Sequence, residues 1–228
     1  MAKRTFDLLA GALLGVVALP FVAAGALVSA VCLRSWPFFV QQRVGLGGRS
    51  FRIVKIRTLP VATPRYIDKH GLADVPIPAP MRAMRRVHLD ELPQIYLAVL
   101  GTMSLVGPRP EMRHLHESMQ PGVAEARVSV RPGCTGLWQV SDLASELISQ
   151  GTKLDLLYIE HRSMRFDLWI LFRTVFIALG LAKPVSVDRL PTWIDHVEER
   201  PERRVGPVVS VAASIGSGDV TGVDSGRR

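Results

Sequence analysis

The 228-residue sequence contains only two cysteines, which excludes the disulfide framework of a small secreted protein. Cys32 lies in an apolar run and Cys134 in the segment RPGCTG. Free cysteine is usually a small packed side chain. We therefore expect a reducing, cytoplasmic environment and assign neither cysteine a chemical role.

Acidic residues are also scarce, because 20 Asp and Glu stand against 28 Lys and Arg, a formal charge of +8. This excess favours an anionic partner such as nucleic acid, an anionic membrane surface or a phosphorylated substrate. Apolar residues make up 48% of the chain, which favours membrane contact. Nucleic acid is not expected as a partner, since the cations are interleaved with apolar segments and no aromatic stacking platform or recognition-helix pattern is present.

Internal repeats are absent, and the length predicts one domain with a sizeable core. A dinucleotide-binding fingerprint is absent as well. Gly45, Gly47 and Gly48 have the wrong spacing and do not connect a strand to a helix. These glycines alone therefore do not predict a phosphate-binding loop.

The sequence does have a long apolar run, Leu8–Leu33, with no charge over 26 residues. As a helix it would measure about 39 Å, enough to cross a bilayer. A cleaved signal peptide, a spanning helix and a re-entrant hairpin are the three interpretations. The run is longer than an ordinary signal peptide core and lacks a clean small-x-small cleavage site, which disfavours the first of them.

Proline and charge bear on the other two interpretations. Pro20 falls near the middle of the run, where it predicts a kink. Lys3 and Arg4 precede the run and several cations from Arg34 onward follow it, so the positive-inside rule places both ends in the cytoplasm. We therefore predict a helix broken at Pro20 and a re-entrant anchor over residues 1–34, with a spanning helix as the alternative.

A second apolar block, Ser163–Val185, is interrupted by Arg173. Its uncharged stretch over residues 174–182 is too short to cross a bilayer. Aromatic and aliphatic residues around Arg173 predict an amphipathic helix in the membrane interface, with a buried core helix as the alternative. Residues 186–228 turn charged and then Gly- and Ser-rich without periodicity, and we expect a mostly disordered tail.

The region between the anchor and the tail is expected to form a small α+β domain that is mostly helical. The segment QQRVGLGGRSFRIVKIRTLP alternates apolar and basic residues after a glycine-rich turn and predicts an extended stretch or a hairpin. Five prolines in residues 60–80 predict an irregular connector. Helices are expected over Met81–Val87 and Leu92–Leu100, the second begun by Pro93, and the segment GPRP is expected to be extended around Arg109.

Adjacent carboxylates, Asp90 and Glu91, lie between an arginine pair and the GPRP turn. They could bind Mg²⁺ together with substrate phosphates, or Asp90 could attack phosphorus as an ionised nucleophile. A helix cap at Asp90 is the purely structural alternative. Several cations could hold Asp90 ionised and neutralise phosphoryl oxygens; they are Lys55, Arg57, Arg85, Arg86 and Arg109.

Several motifs occur in one order from about Lys3 to Ala178. HLDELPQ and MSLVGPRPE are preceded by QQRVGLGGRSFRIVKIRT and followed by RPGCTGLWQV and LDLLYIEHRSMRFDLWI. This arrangement resembles the bacterial sugar transferases known as monotopic phosphoglycosyl transferases. The resemblance implies a re-entrant helix broken at a proline, here Pro20, and a catalytic domain, here residues 35–185, at the cytoplasmic face of the bacterial inner membrane.

The resemblance also implies an activity, the transfer of a sugar 1-phosphate from a UDP-sugar to polyprenol (undecaprenyl) phosphate at the start of polysaccharide or glycoconjugate synthesis. By position, Asp90 would attack the β-phosphorus, release UMP and carry the phosphosugar. Glu91, with Asp90, would hold Mg²⁺. The implied partners are the two substrates, the cytoplasmic leaflet, and a second copy of the chain or a downstream glycosyltransferase.

The family's other polar positions are carried over in the same way. Its phosphate-binding cations correspond to Lys55, Arg57, Arg85 and Arg109. Its C-terminal aspartates correspond to Asp155 and Asp167, which we expect to be accessory residues.

The chain departs from the family's pattern at several positions. KIRTLP stands where KFRSM is usual, Thr102 replaces a usual aspartate, Leu97 replaces a common asparagine, and the Gly-Arg that often follows QVS is missing. None of these changes removes Asp90. They leave a second function open, a catalytically weakened homologue that binds lipid phosphate or a partner glycosyltransferase.

Overall fold

The computed structural model describes residues 2–64, 75–145, 148–186 and 189–191. The centre of the proline-rich connector and most of the predicted tail lie outside these residues. The helices are α1 (Ala2–Leu33), α2 (Ala79–Arg86), α3 (Gln94–Leu100), α4 (Arg113–Glu117), α5 (Pro121–Val128), α6 (Leu137–Val140), α7 (Ile148–His161) and α8 (Met164–Ala178). The strands are β1 (Phe38–Val44), β2 (Ser50–Ile56), β3 (Ser104–Val106) and β4 (Gly133–Thr135). The described chain is therefore mostly helical with two small sheets, as the sequence predicted.

The predicted break of the first helix at Pro20 is not present, because α1 continues through this residue as one helix of 32 residues. Proline removes a single backbone N–H from the hydrogen-bond ladder, and the turns on either side of it keep their own bonds. By length and composition α1 is the one helix among the described residues that could cross a membrane.

The face of α1 that packs on the rest of the protein consists mainly of small residues. Tyr96 donates a hydrogen bond to the Gly15 carbonyl (2.9 Å), and Gly11 lies against Val99 and Leu105. Glycine at these positions lets α3 approach the α1 backbone closely. The opposite face exposes large apolar side chains; they include Leu9, Leu13, Val16, Val17, Leu19, Phe21, Leu27 and Val31.

Strands β1 and β2 form the predicted hairpin, with Phe38 opposite Ile56 and Val44 opposite Ser50. Gly47 and Gly48 in the turn have φ of 63° and 73°, a left-handed conformation that glycine adopts without strain. The strand alternation directs Ile53 inward and places Lys55, two residues on, along the same strand face toward the domain.

Strands β3 and β4 pair in parallel, with Ser104 opposite Gly133 and Val106 opposite Thr135. They lie at the centre of the main apolar core, which includes Leu105, Leu137, Trp138, Phe166 and Ile170. This pair brings the GPRP segment, which follows β3, next to the RPGCTG segment.

Helix α8 begins at Ser163, whose hydroxyl accepts a hydrogen bond from the Phe166 N–H (3.2 Å). Phe166 and Ile170 are fully buried, whereas Leu168, Phe172 and Val175 are exposed. The helix therefore has one face in the core and one apolar face outside it. This is the amphipathic pattern that the sequence predicted for an interfacial helix.

Candidate active site

The carboxylate pair lies in a short 3₁₀ turn, Leu89–Glu91, between α2 and α3. His88, which precedes the turn, has a φ of 55°, a left-handed conformation that is uncommon for a residue with a side chain. The Glu91 N–H donates to the His88 carbonyl (3.1 Å) and closes the turn. Asp90 is buried, and Glu91 is half-buried on the adjacent side.

Glu91 is held by cations from two other elements. Lys55, on β2, donates a hydrogen bond of 2.6 Å to Glu91 Oε1, and Arg109, in the GPRP segment, has Nη2 3.8 Å from the same oxygen. Burial opposes ionisation of Glu91, but Lys55 and Arg109 together outweigh it and hold the pKa of that carboxyl well below its usual range. Glu91 is therefore ionised at neutral pH.

Asp90 has the opposite electrostatic environment. Its burial and the neighbouring Glu91 charge raise the pKa of this carboxyl, and Lys55, Arg85 and His88 limit the rise. Arg85 also donates to the Thr58 hydroxyl (3.2 Å), which fixes it over the end of β2. A desolvated carboxylate is a better nucleophile than a hydrated one because less solvent has to be displaced for it to react.

A buried network of charged side chains contacts the backbone of the GPRP segment. Arg127 donates to the Arg109 carbonyl (2.7 Å), and its guanidinium lies 3.5 Å from Glu111 Oε1 and 2.6 Å from Asp155 Oδ2. Burial raises the pKa of Asp155, and the Arg127 guanidinium offsets part of that rise. Asp155, predicted as accessory, thus acts on the site through Arg127 and the backbone of Arg109.

Two other predicted residues lie in different surroundings. Arg57 donates to the carbonyls of Trp36 (3.0 Å) and Phe38 (3.4 Å) at the open end of the hairpin. Asp167 accepts from Tyr158 (2.7 Å) and pairs with Lys3 (3.0 Å). The structure thus brings Lys55, Arg85 and Arg109 to the carboxylate pair, whereas Arg57 contacts the open end of the hairpin and Asp167 contacts Lys3 and Tyr158.

A cleft opens beside Glu91 between β2, the GPRP segment and α6. Its polar lining comprises Arg43, Lys55, Glu91, Gln94, Arg109, Cys134 and Gln139. Sequence reasoning missed Arg43, Gln94 and Gln139 as site residues. Gln94 and Gln139 belong to the motifs HLDELPQ and RPGCTGLWQV, and glutamine three residues after Glu91 is on the same helical face. That spacing was the available signal.

The side chains of the site also determine what kind of metal ion could bind there. Within the described ranges, no group of three or more His, Cys, Asp or Glu side chains could hold one. Magnesium commonly binds through one or two carboxylates and completes its coordination with waters and substrate phosphates. The ionised Glu91 beside Asp90 fits that kind of site and does not fit a metal site built from protein ligands alone.

Comparison with known proteins identifies the family. Residues 1–180 match the bacterial sugar transferase family. An undecaprenyl-phosphate glucose phosphotransferase of Komagataeibacter xylinus is 34% identical over 195 residues, covering 77% of this chain and 35% of the relative. A UDP-glucose:undecaprenyl-phosphate glucose-1-phosphate transferase of Caulobacter vibrioides is 35% identical over 183 residues, covering 77% and 68%.

Some relatives are much longer than this chain, which spans about a third of the Komagataeibacter protein. Others are of similar length. The exopolysaccharide production protein ExoY of Sinorhizobium fredii is 32% identical over 193 residues, covering 77% of this chain and 84% of the relative. Since the family match extends over most of the described residues and includes the carboxylate pair and its cations, the chain belongs to the bacterial sugar transferase family.

Proposed function

We propose that this chain transfers a sugar 1-phosphate from a UDP-sugar to undecaprenyl phosphate and thereby begins the synthesis of a polysaccharide or glycoconjugate. The observation that carries the proposal is the pair of adjacent carboxylates with opposite pKa shifts, Asp90 raised and Glu91 lowered. Asp90 is desolvated, which suits it to attack phosphorus. Glu91 is kept ionised by Lys55 and Arg109. The names of the relatives from Komagataeibacter and Caulobacter supply the substrate class.

In the first step a carboxylate oxygen of Asp90 forms a bond to the β-phosphorus of the UDP-sugar. The bond from that phosphorus to the oxygen shared with the α-phosphate breaks, and UMP leaves with the electron pair. Lys55, Arg85 and Arg109 supply positive charge where the phosphoryl oxygens become more negative. Asp90 then carries the sugar phosphate as an acyl phosphate.

In the second step a phosphate oxygen of undecaprenyl phosphate attacks the same phosphorus. The bond from phosphorus to Asp90 breaks, which regenerates the carboxylate and leaves the sugar on a lipid diphosphate. Two steps let one small site accept a soluble and a lipid substrate in turn, because UMP leaves before the lipid phosphate reacts.

Asp90 and Glu91 are the residues that would hold Mg²⁺ in this chain. Bound there with the diphosphate, the ion would supply positive charge that stabilises the leaving UMP. Glu91 retains its charge for this task because Lys55 and Arg109 keep it ionised.

We further propose that α1 is re-entrant and that the catalytic domain lies on the cytoplasmic face. Near its N-terminus, Arg4 donates to the carbonyls of Ala98 (2.6 Å) and Val99 (2.7 Å) at the end of α3. Near its C-terminus, Ser29 donates to the Arg57 carbonyl (2.6 Å) at the end of β2. Both ends of α1 thus contact one polar domain, which supports placing them on the same side of the membrane.

The apolar faces of α1 and α8 also support placing the protein at one leaflet of the membrane. Their exposed side chains, among them Leu13, Phe21, Phe172 and Val175, suit the acyl region of one leaflet, and the flanking cations suit its anionic surface. The product stays in the same membrane, so a second copy of the chain or the next glycosyltransferase is the partner we expect.

The function is tested with purified full-length protein in detergent, undecaprenyl phosphate and a panel of UDP-sugars. We expect UMP release from one UDP-sugar or a few, matched by formation of the lipid diphosphate sugar. A protein that binds undecaprenyl phosphate but releases no UMP from any of the sugars would instead be a lipid-phosphate binding module.

Topology is tested with single cysteines at Ala2 and Ser35 in a background where Cys32 and Cys134 are alanine. A membrane-impermeant thiol reagent should label neither position in intact cells and both positions in inverted vesicles. Labelling of Ala2→Cys from outside would show that α1 spans the membrane.

A further inference from the structure

Two carboxamide side chains in the active-site cleft each have one buried polar atom without a partner. Gln94 is only 3% exposed, and its Nε2 makes no hydrogen bond to any of the residues that the structure describes. The same is true of Oε1 of Gln139, within those residues. Both side chains line the cleft that also contains Lys55, Glu91 and Arg109. One residue thus has an unused donor and the other an unused acceptor, and both residues line the same cleft.

Unpartnered polar atoms at buried positions are uncommon, because each has given up water without gaining another partner. At a cleft, such atoms are where a ligand supplies the missing hydrogen bonds. A carboxamide has no charge, so it does not compete with Lys55 and Arg109 for phosphate oxygens. It suits a neutral group that both donates and accepts, such as a hydroxyl or an acylamino group.

The surrounding residues fix the Gln94 backbone and leave space beside the Gln139 side chain. The Cys134 thiol donates to the Gln94 carbonyl (3.3 Å), and burial raises the pKa of this thiol to about 12, so this part of the wall stays neutral. A Cβ at Gly136 would clash with the Gly107 carbonyl oxygen and would lie 2.9 Å from Gln139 Oε1, so glycine there serves the backbone contact and also leaves room for the amide.

Gln94 is one helical turn beyond Glu91, which places its amide beside the phosphoryl site. The group bonded directly to the β-phosphate of a UDP-sugar is the sugar, whereas the uracil is separated from it by the α-phosphate and the ribose. We propose that Gln94 and Gln139 bind the hydroxyl or acylamino groups of the transferred sugar and determine which UDP-sugar is used. This inference rests on the proposed function for the identity of the ligand.

The test measures binding, so it does not depend on turnover. All proteins carry Asp90→Asn, and affinities for UMP, UDP-glucose, UDP-galactose and their two N-acetylamino counterparts are measured by calorimetry with full-length protein in detergent. Gln94→Met and Gln139→Met keep the side-chain length but remove the amide. Gln42→Met, at an exposed position on β1, is the matched control. Thermal unfolding verifies that each variant is folded.

We expect either cleft substitution to weaken binding of the preferred UDP-sugar about tenfold, the scale of one lost hydrogen bond, and to reduce the differences among the four sugars. Affinity for UMP should change less than twofold. This change is well below the tenfold loss for the UDP-sugar and is about the change expected of the Gln42→Met control. Equal weakening for UMP and for every UDP-sugar would overturn the inference, since the amides would then bind the nucleotide. Unchanged differences in affinity among the four UDP-sugars would also overturn the inference, as would the absence of UDP-sugar binding.

Failure of the proposed function is a separate result. It would appear as the absence of UMP release by the protein with Asp90 intact, even where the Asp90→Asn protein distinguishes the sugars through Gln94 and Gln139.

Discussion

At the scale of residues, Asp90 and Glu91 are adjacent in sequence but differ in their electrostatic surroundings. Glu91 meets Lys55 at 2.6 Å, whereas Asp90 faces the low-polarity interior and the charge of Glu91 itself. The two side chains of a tight turn point in different directions, so neighbours can occupy different environments. This separation suits the two roles that we propose, binding for Glu91 and reaction for Asp90.

The first prediction compares the stability of two neutralising substitutions. Asp90→Asn should raise the melting temperature, because at pH 7 ionised Asp90 is desolvated and repelled by Glu91. Glu91→Gln should lower the free energy of unfolding by about 1–3 kcal/mol, the scale of a hydrogen bond to a charged group. Thermal unfolding in detergent gives both shifts. Glu117→Gln, in an exposed pair with Arg113, is the control and should change little.

The sign of the pH dependence follows from the same shifts. The pKa of Glu91 is lowered in the folded protein, so its contribution to stability is present above the unfolded pKa and is lost only as pH falls toward the folded pKa. The pKa of Asp90 is raised, so its ionisation costs stability as pH rises through the folded pKa. Destabilisation by Asp90→Asn at pH 7 would contradict this account.

Sequence reasoning proposed Asp90, Glu91, Lys55, Arg85 and Arg109 from the adjacent carboxylates, the cations around them and the resemblance of the motifs, and the structure brings these side chains together. It could not locate Gln94 and Gln139 as site residues. Their positions in the two motifs were too weak a signal to assign a role to an uncharged amide, and burial without a partner is what marks these side chains. Nor could sequence reasoning show that Arg57 contacts the carbonyls of Trp36 and Phe38, because those contacts depend on how the two strands of the hairpin pair.

At the scale of elements, α1 packs directly against residues that adjoin the carboxylate pair and Lys55. A Cβ at Gly25 would lie 2.8 Å from Leu89 Cδ2 and 2.9 Å from Ile56 Cδ1. Leu89 precedes Asp90 in the 3₁₀ turn, and Ile56 follows Lys55 on β2. The position of α1 therefore sets the position of both Asp90, the proposed nucleophile, and Lys55.

The second prediction concerns this contact. Gly25→Val should cost about 1–3 kcal/mol by overpacking and should displace the turn that carries Asp90, so turnover should fall more than membrane association. UMP release and membrane fractionation measure the two effects. Ala24→Val, on the exposed side of α1, is the matched control and should retain both. Similar loss of UMP release in the two variants would show that the packed face is not what matters.

The elements differed in how well they could be predicted. The β1–β2 hairpin was predicted because alternation and a glycine turn are local signals. The parallel β3–β4 pair was not, since strands of three residues have no readable period and their partners lie about thirty residues apart. The prediction that the helix breaks at Pro20 was wrong, because packing along the whole of α1 maintains the helix on both sides of this residue.

At the scale of the whole molecule, a buried polar network joins α1 to the core and to α8. Lys3 pairs with Asp7 (2.9 Å) and with Asp167 (3.0 Å), and Asp7 accepts from Ser104 (2.8 Å). Asp7 and Asp167 are each only 2% exposed. Burial raises the pKa of Asp167, and Lys3 opposes the rise. One cation thus stabilises two buried carboxylates where α1 and α8 meet.

The third prediction removes that cation. Lys3→Met should destabilise the protein by about 3 kcal/mol or more, because it leaves two buried carboxylates without a positive partner. The deficit should shrink as pH falls and Asp167, whose pKa burial raises, becomes protonated. Unfolding at pH 8 and at pH 5.5 tests this, with Arg49→Met at an exposed position as the control. A deficit that does not vary with pH would show that Lys3 acts through packing alone.

The covalent role of Asp90 is the central claim, and a reaction without the lipid acceptor tests it most directly. Protein, Mg²⁺ and a UDP-sugar substrate are mixed without undecaprenyl phosphate, and UMP and the mass of the peptide containing Asp90 are measured. We predict release of about one UMP per active site and a gain equal to one phosphosugar on that peptide, both abolished by Asp90→Asn. UMP release only when undecaprenyl phosphate is present, with no mass gain, would contradict the account, because the sugar phosphate would then pass directly between the two substrates.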